Sequence, residues 1–312
     1  MTQTKITPIA HDQAKPSQNQ LSQNQPNHVE QLRLQLKESL LLDLDDYGLA
    51  EQSSGEFNST FIGVQLNSAF QPIYDSAAGD LVGHEALIRP SLGGELASNP
   101  DFALTYAEQT GKLVEFDRVS RTLHVLNFRQ IYAENGLLFL NVHPKLLTTV
   151  NGHGKVFERI LHAHSVPTNR VVIEINEGLV EHDKQLTEAI DNYRDRGYKI
   201  AIDHFGGRAS HLDRLWKYQL DFIKFDVSLI QQAESNVRLS KTLHHLIKAA
   251  NDVGAKPVVQ GIESQSQLDI AIESGATLLQ GFFLGKPVHA KELQPTKAFK
   301  KHHFTHINQA AA

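Results

Sequence analysis

From residue 137 to residue 280, apolar runs of strand length alternate with amphipathic stretches of helical period. Each run stops on a polar or charged residue: Asn141, Glu174, Asp203, Lys224, Gln260 and Gln280. The pattern predicts strands at 137–142, 170–175, 198–203, 220–225, 256–260 and 277–280. Helices are predicted between them at 153–164, 183–196, 210–217, 236–252 and 264–274. Such alternation implies parallel βαβ units. Gly197, Gly254 and Gly275 each follow a predicted helix, where a left-handed cap is favoured. In a closed α/β barrel the carboxyl ends of all strands meet in one mouth, so the polar run-ends read as one site. An open doubly wound sheet is the alternative; it wants a Gly-rich phosphate turn after an early strand, and none is present.

The same pattern begins upstream in LVGHEALIRP (81–90), where Glu85 ends an apolar run and Arg89 follows four residues later. Strand signals over 61–74 include Gln71-Pro72-Ile73, and a turn at Ala78-Gly79-Asp80 joins them to 81–88 as an antiparallel hairpin. Helices are expected at 101–110 and 115–134. Residues 1–28 are rich in Gln, Asn, Ser and Pro and read as a disordered tail. Val29, Leu32, Leu36, Leu40 and Leu44 then mark an amphipathic helix, which docks on the domain's own surface, on a protein partner or on a second copy. Residues 52–59 read as linker. The expected organisation is a tail at 1–28, helix and linker at 29–58, a compact domain at 59–295 and a frayed tail at 296–312. His302, His303 and His306 in that last tail offer an alternative transition-metal site.

The 312 residues carry a net charge of -5, which gives no reason to expect DNA or an anionic membrane as partner. With no cysteine there is no disulfide, no thiolate metal site and no thiol nucleophile. Any metal must be held by oxygen or imidazole. No apolar run has signal-peptide character or approaches the roughly 20 residues that span a bilayer, so a cytoplasmic protein is expected.

Glu85, Asn141, Glu174 and Asp203 together form an all-oxygen donor set suited to Mg²⁺ or Mn²⁺. Carboxylates gathered in one mouth repel each other unless a cation neutralises them. Lys224 and Arg89 add positive charge suited to phosphate. Metal plus Lys and Arg suggests a phosphate ester as ligand.

Eight ordered motifs then carry a resemblance. They are Gln71-Pro72-Ile73 with Glu85-Ala86-Leu87-Ile88-Arg89, Leu140-Asn141-Val142, VVIEINE (171–177), AIDHFG (201–206), DFIKFD (221–226), Gly261-Ile262-Glu263 and QGFFLGKP (280–287). They resemble the EAL-domain family, the cyclic di-GMP phosphodiesterases and their non-catalytic relatives. The resemblance implies a modified (β/α)₈ TIM-type barrel with one antiparallel strand, and a homodimer. It implies Glu85, Asn141, Glu174 and Asp203 as ligands of a first metal, and Lys224 beside the attacking water. Glu177 would steady the loop after the Asp203 strand. Asp226, Glu263 and Gln280 match pocket positions; Gln71, Leu87 and Arg89 match residues that hold the cyclic dinucleotide. Active members use two cations to open one phosphodiester bond, giving linear pGpG.

Two departures lie in the site. Active members read Asp-Asp-Phe-Gly where this chain has Asp203-His204-Phe205-Gly206, and Ala-Glu-Gly-Val-Glu where it has Val259-Gln260-Gly261-Ile262-Glu263. His204 and Gln260 therefore replace two acids that serve the second cation and the water. Glutamine cannot act as a base. The loop Gly206–Ser210, with Arg208, also departs from the family's pattern. The expected function is binding of cyclic di-GMP with a divalent metal, as a receptor or regulator with weak or no hydrolysis. An active phosphodiesterase and a nucleotide-free interaction module are the alternatives.

Overall fold

A computed structural model describes residues 47–92, 95–96, 101–131, 136–149, 154–180 and 183–293. The helix expected from Val29, both tails and the three C-terminal histidines lie outside these residues.

Strands β3 (Val64–Asp75), β4 (Leu81–Leu92), β6 (Leu137–Val142), β7 (Val171–Asn176), β8 (Lys199–Phe205), β9 (Phe222–Phe225), β10 (Lys256–Val259) and β11 (Leu278–Leu279) pair in a ring. The ring closes where β3 pairs with both β4 and β11, antiparallel to each, while every other pairing in it is parallel. The chain is thus the closed barrel with one reversed strand, and the open-sheet alternative is excluded. The hairpin expected around Gly79 is the β3–β4 pair, with Gln71 opposite Glu85. β1 (Ala50–Glu51), β2 (Phe57–Phe61) and β5 (Glu95–Leu96) extend the sheet beyond the ring.

The helices are α1 (Phe102–Gln109), α2 (Leu113–Phe128), α3 (Pro144–Thr149), α4 (Lys155–Ala163), α5 (Asp183–Asp195), α6 (Arg214–Lys217), α7 (Val227–Ala233), α8 (Val237–Asp252) and α9 (Gln265–Glu273). Three sequence readings are corrected. The stretch 52–59 is not all linker, because residues 57–59 belong to β2 and are buried. Its polar residues hid this: Asn127 bonds both backbone groups of Phe57, and Ser59 Oγ donates to the Tyr47 carbonyl. The helix expected over 115–134 ends at Phe128, where the backbone N–H groups of Gln130 and Ile131 turn back onto Asn127 and Phe128. The short α3, opened by Pro144 at a position where its missing N–H is harmless, was not expected.

Alternation along the strands sorts the side chains into two sets. One set, including Leu138, Leu140, Ile173, Ile200, Ile202 and Ile223, packs outward under the helices. The other forms a compact floor inside the ring from Ile73, Phe139, Val172, Ala201, Phe222, Val258 and Leu278. Two residues beyond each floor residue, on the same face, stand Asn141, Glu174, Asp203, Lys224, Gln260 and Gln280. On the reversed strand β3 the count runs backwards, from Ile73 to Gln71. On β4 the floor position is Gly83, where a Cβ would lie 2.3 Å from the Leu137 carbonyl oxygen, and Glu85 stands two residues on. Period two alone therefore lifts every polar run-end into one layer directly above an apolar floor.

Candidate functional site

Glu85 is the hub of that layer. Its Oε1 accepts from Asn141 Nδ2 at 2.9 Å, and its Oε2 accepts from Lys224 Nζ at 2.8 Å and Gln280 Nε2 at 2.8 Å. Gln280 Nε2 also reaches Gln71 Oε1 at 3.4 Å, and Gln71 Nε2 donates to the Gly285 carbonyl at 3.2 Å. Lys224 lies fully buried between two acids, with Glu174 Oε1 at 2.5 Å on its other side. Burial pushes the Glu85 carboxyl up, but the charge of Lys224 and the three donors outweigh it and hold it near 2. Burial likewise pulls Lys224 down, and Glu174, Glu85 and Asp203 together reverse this, so the ammonium stays charged. Glu174 is the loser. Burial first and then Glu85 push it well above the usual carboxylate range, and Lys224 only partly offsets them.

Asp203 is buried at the end of β8. Its Oδ1 accepts from the His204 backbone N–H at 2.8 Å and from Gln260 Nε2 at 2.6 Å. His204 sits in the left-handed region (φ 57°), at a break in the β8–β9 register, with its side chain half exposed. Its Nδ1 lies 3.0 Å from Asp226 Oδ2 and its Nε2 lies 3.5 Å from Asp203 Oδ2. Asp226 also caps α7, accepting from the Ser228 backbone N–H at 3.0 Å and from Ser228 Oγ at 2.5 Å. The following loop folds tightly, with the Gly206 N–H donating to Ser210 Oγ at 3.0 Å.

The expected residues Gln71, Glu85, Asn141, Glu174, Asp203, Lys224, Gln260 and Gln280 thus come together. Leu87 and Arg89 lie further along β4, partly buried, with Arg89 Nη1 donating to the Ile88 carbonyl at 3.0 Å. Glu263 is exposed, and its backbone N–H is taken by Gln267 Oε1 at 2.7 Å. The Asp226–His204 link was not anticipated, although Asp-x-Ser ahead of an apolar run is a readable N-cap signal.

The donor set suits a first cation. Glu174 Oε2 is buried with no hydrogen-bond donor. Three carboxyl groups here face one ammonium, and Glu174, the one pushed up, would be relieved by a further cation. Among the described residues, however, no group of three or more acidic or histidine side chains is closed around one metal position. Lys224 already bridges Glu85 Oε2 and Glu174 Oε1, so a cation would share these two carboxylates with its ammonium through their other oxygens.

The family model for the EAL domain matches residues 56–287. The chain belongs to the EAL-domain family. Over 223 residues this EAL domain is 29% identical to the Bacillus subtilis (strain 168) uncharacterized EAL-domain containing protein YkuI, covering 70% of this chain and 54% of that one. It is 28% identical over 231 residues to the cyclic di-GMP phosphodiesterase RocR of Pseudomonas aeruginosa, covering 72% of this chain and 58% of RocR. The chain spans about half the length of such curated relatives. Among solved structures, a calcium/cy-diGMP complex of Klebsiella pneumoniae BlrP1 superposes with a TM-score of 0.65 at 25% identity, covering 72% of this chain and 56% of that one. No helix among the described residues is long and apolar enough to cross a membrane.

Two buried histidines pack against Phe70, on the outer side of β3 and β4. His84 precedes Glu85 on β4, and His124 on α2 has its Nδ1 2.9 Å from Ser68 Oγ. Burial holds His84 down at about 4; burial, with the charge of Arg89 added, holds His124 at about 3. Both stay neutral when folded, yet take up a proton below pH ~6.5 when unfolded. The stability they permit is therefore full above that pH and is lost as the pH falls toward 4. His124→Gln is expected to remove about 2 kcal/mol of the loss in unfolding free energy between pH 7.5 and pH 5. Urea unfolding at the two pH values measures it, and an undiminished loss in the variant would contradict the assignment.

Proposed function

We propose that this EAL domain binds cyclic di-GMP together with a divalent cation, Mg²⁺ or Mn²⁺, as a cytoplasmic receptor or regulator with weak or no hydrolysis. One observation carries the reading: a bonded network of candidate ligand residues stands beside a position where a hydrolytic acid is missing. Gln71, Glu85, Asn141 and Gln280 form one bonded network, whereas Gln260 offers Asp203 an amide N–H where an acid would act. The BlrP1 complex supports the choice of ligand.

In this reading Glu85, Asn141, Glu174 and Asp203 hold the cation, and Arg89 meets a phosphate of the dinucleotide. The bound cation would polarise a phosphoryl oxygen and acidify water. Lys224 keeps Glu85 ionised and oriented. Gln280 and Gln71 brace Glu85 from the other side and fix the turn at Gly285. A neutral amide at 260 cannot take a proton from water, so the bound phosphodiester survives.

Calorimetry with cyclic di-GMP and Mg²⁺ or Mn²⁺ tests this. Saturable binding with a Kd below about 100 µM is expected, weakened tenfold or more by Arg89→Ala. Absence of heat up to that concentration would sink the receptor reading. A second reading, a slow phosphodiesterase, is favoured by one feature, the imidazole Nε2 at 3.5 Å from Asp203 Oδ2. Appearance of pGpG under single-turnover conditions, absent in Glu85→Ala, would decide for it.

A further inference from the structure

The residue at 260 does more than remove negative charge: beside the backbone N–H that any residue at 204 would present, Gln260 adds a side-chain N–H where a second cation would bind. A carboxylate that bridges two cations gives one oxygen to each. Asp203 cannot do so. Its Oδ1 already accepts two N–H groups, from the His204 backbone at 2.8 Å and from Gln260 Nε2 at 2.6 Å. Two donors fill the two lone pairs of that oxygen.

The Gln260 amide is fixed in this orientation by its surroundings. Its Nε2 also faces the Phe225 carbonyl at 3.5 Å, so both nearby atoms are acceptors. A flipped amide, or a glutamate, would press an oxygen against two oxygens. That all-oxygen contact is held together only by a cation. Glutamine makes it stable without one. His204 completes the closure, its ring tied through Nδ1 to Asp226, whose other oxygen is spent on Ser228.

We infer that this EAL domain holds a single divalent cation, through Glu85, Asn141, Glu174 and Asp203 Oδ2, and that Gln260 and the His204 backbone take the place of a second. The inference rests on the metal-binding reading of the site given above. A bound phosphate then meets no second metal charge at position 260.

Mn²⁺ is the probe. The full chain is loaded with excess Mn²⁺, with and without cyclic di-GMP, and examined by native mass spectrometry and electron paramagnetic resonance. One ion per chain and an uncoupled six-line spectrum are expected. Gln260→Glu is isosteric and leaves the backbone at 204 untouched; H204D/Q260E restores both acids. A second ion with an exchange-coupled spectrum is expected in at least one of them. Two ions on the unmodified chain overturn the inference while leaving nucleotide binding intact. Both variants remaining at one ion also overturn it. No bound ion at all overturns the metal reading together with it, whatever calorimetry shows for the nucleotide.

Discussion

H204D/Q260E is expected to hydrolyse cyclic di-GMP to pGpG about 10²–10⁴ times faster than the unmodified chain, the equivalent of about 3–5 kcal/mol in the barrier. Both changes act on Asp203. Glutamate at 260 exchanges the donor at 2.6 Å for an acid able to accept a proton, and aspartate at 204 returns the second missing carboxylate. A single-turnover assay with Mg²⁺ or Mn²⁺ measures the gain, with Glu85→Ala in the same background as the silent control. An unchanged rate would move the defect away from these two positions, toward the loop Gly206–Ser210. That loop closes through the Gly206–Ser210 bond and departs from the family's sequence.

Lys224→Ala is expected to cost about 3–5 kcal/mol of unfolding free energy, because it leaves Glu85 and Glu174 buried without their shared partner. Surface lysines do not behave this way; exposed ion pairs are worth at most about 1 kcal/mol. The distinguishing result is rescue. Excess Mn²⁺ is expected to raise the urea midpoint of Lys224→Ala further than that of the unmodified chain, since the cation can settle between the two freed carboxylates. A loss below about 1 kcal/mol, or equal Mn²⁺ effects on both chains, would show that Lys224 is not the internal counter-charge.

Most of the barrel was legible because parallel strands buried on both faces are continuous apolar runs, and because period two carries each run-end to the same height. Asn141, Glu174, Asp203, Lys224, Gln260 and Gln280 could be read as one site for that reason alone. β2 was not legible, because its burial depends on hydrogen bonds from Asn127 and a contact with Tyr47 that no local pattern announces. Within the site, residue identity gave the charges but not the partners. Repulsion among the acids argued for a metal, yet Lys224 already relieves part of it from the centre. The bond from Gln260 to Asp203 joins residues 57 apart in sequence and follows only from the register of β8, β9 and β10. The left-handed turn at His204 was equally hidden, since imidazole in place of a carboxylate says nothing about backbone shape.

The reversed strand β3 has one more consequence. It pairs with β11, the last strand of the ring, through Tyr74 and Leu279, and the Gln71–Gln280 and Glu85–Gln280 bonds span 209 and 195 residues. Contacts of such separation form late, after the local βαβ units have collapsed. During synthesis most of the strands and helices can take shape while the mouth is still open along one seam. A nascent copy interrupted before Leu278 keeps most of its mass and floor but lacks the brace that holds Glu85 from the Gln280 side. The mouth of the barrel is therefore the final product of folding, and its integrity reports that the whole ring has been completed.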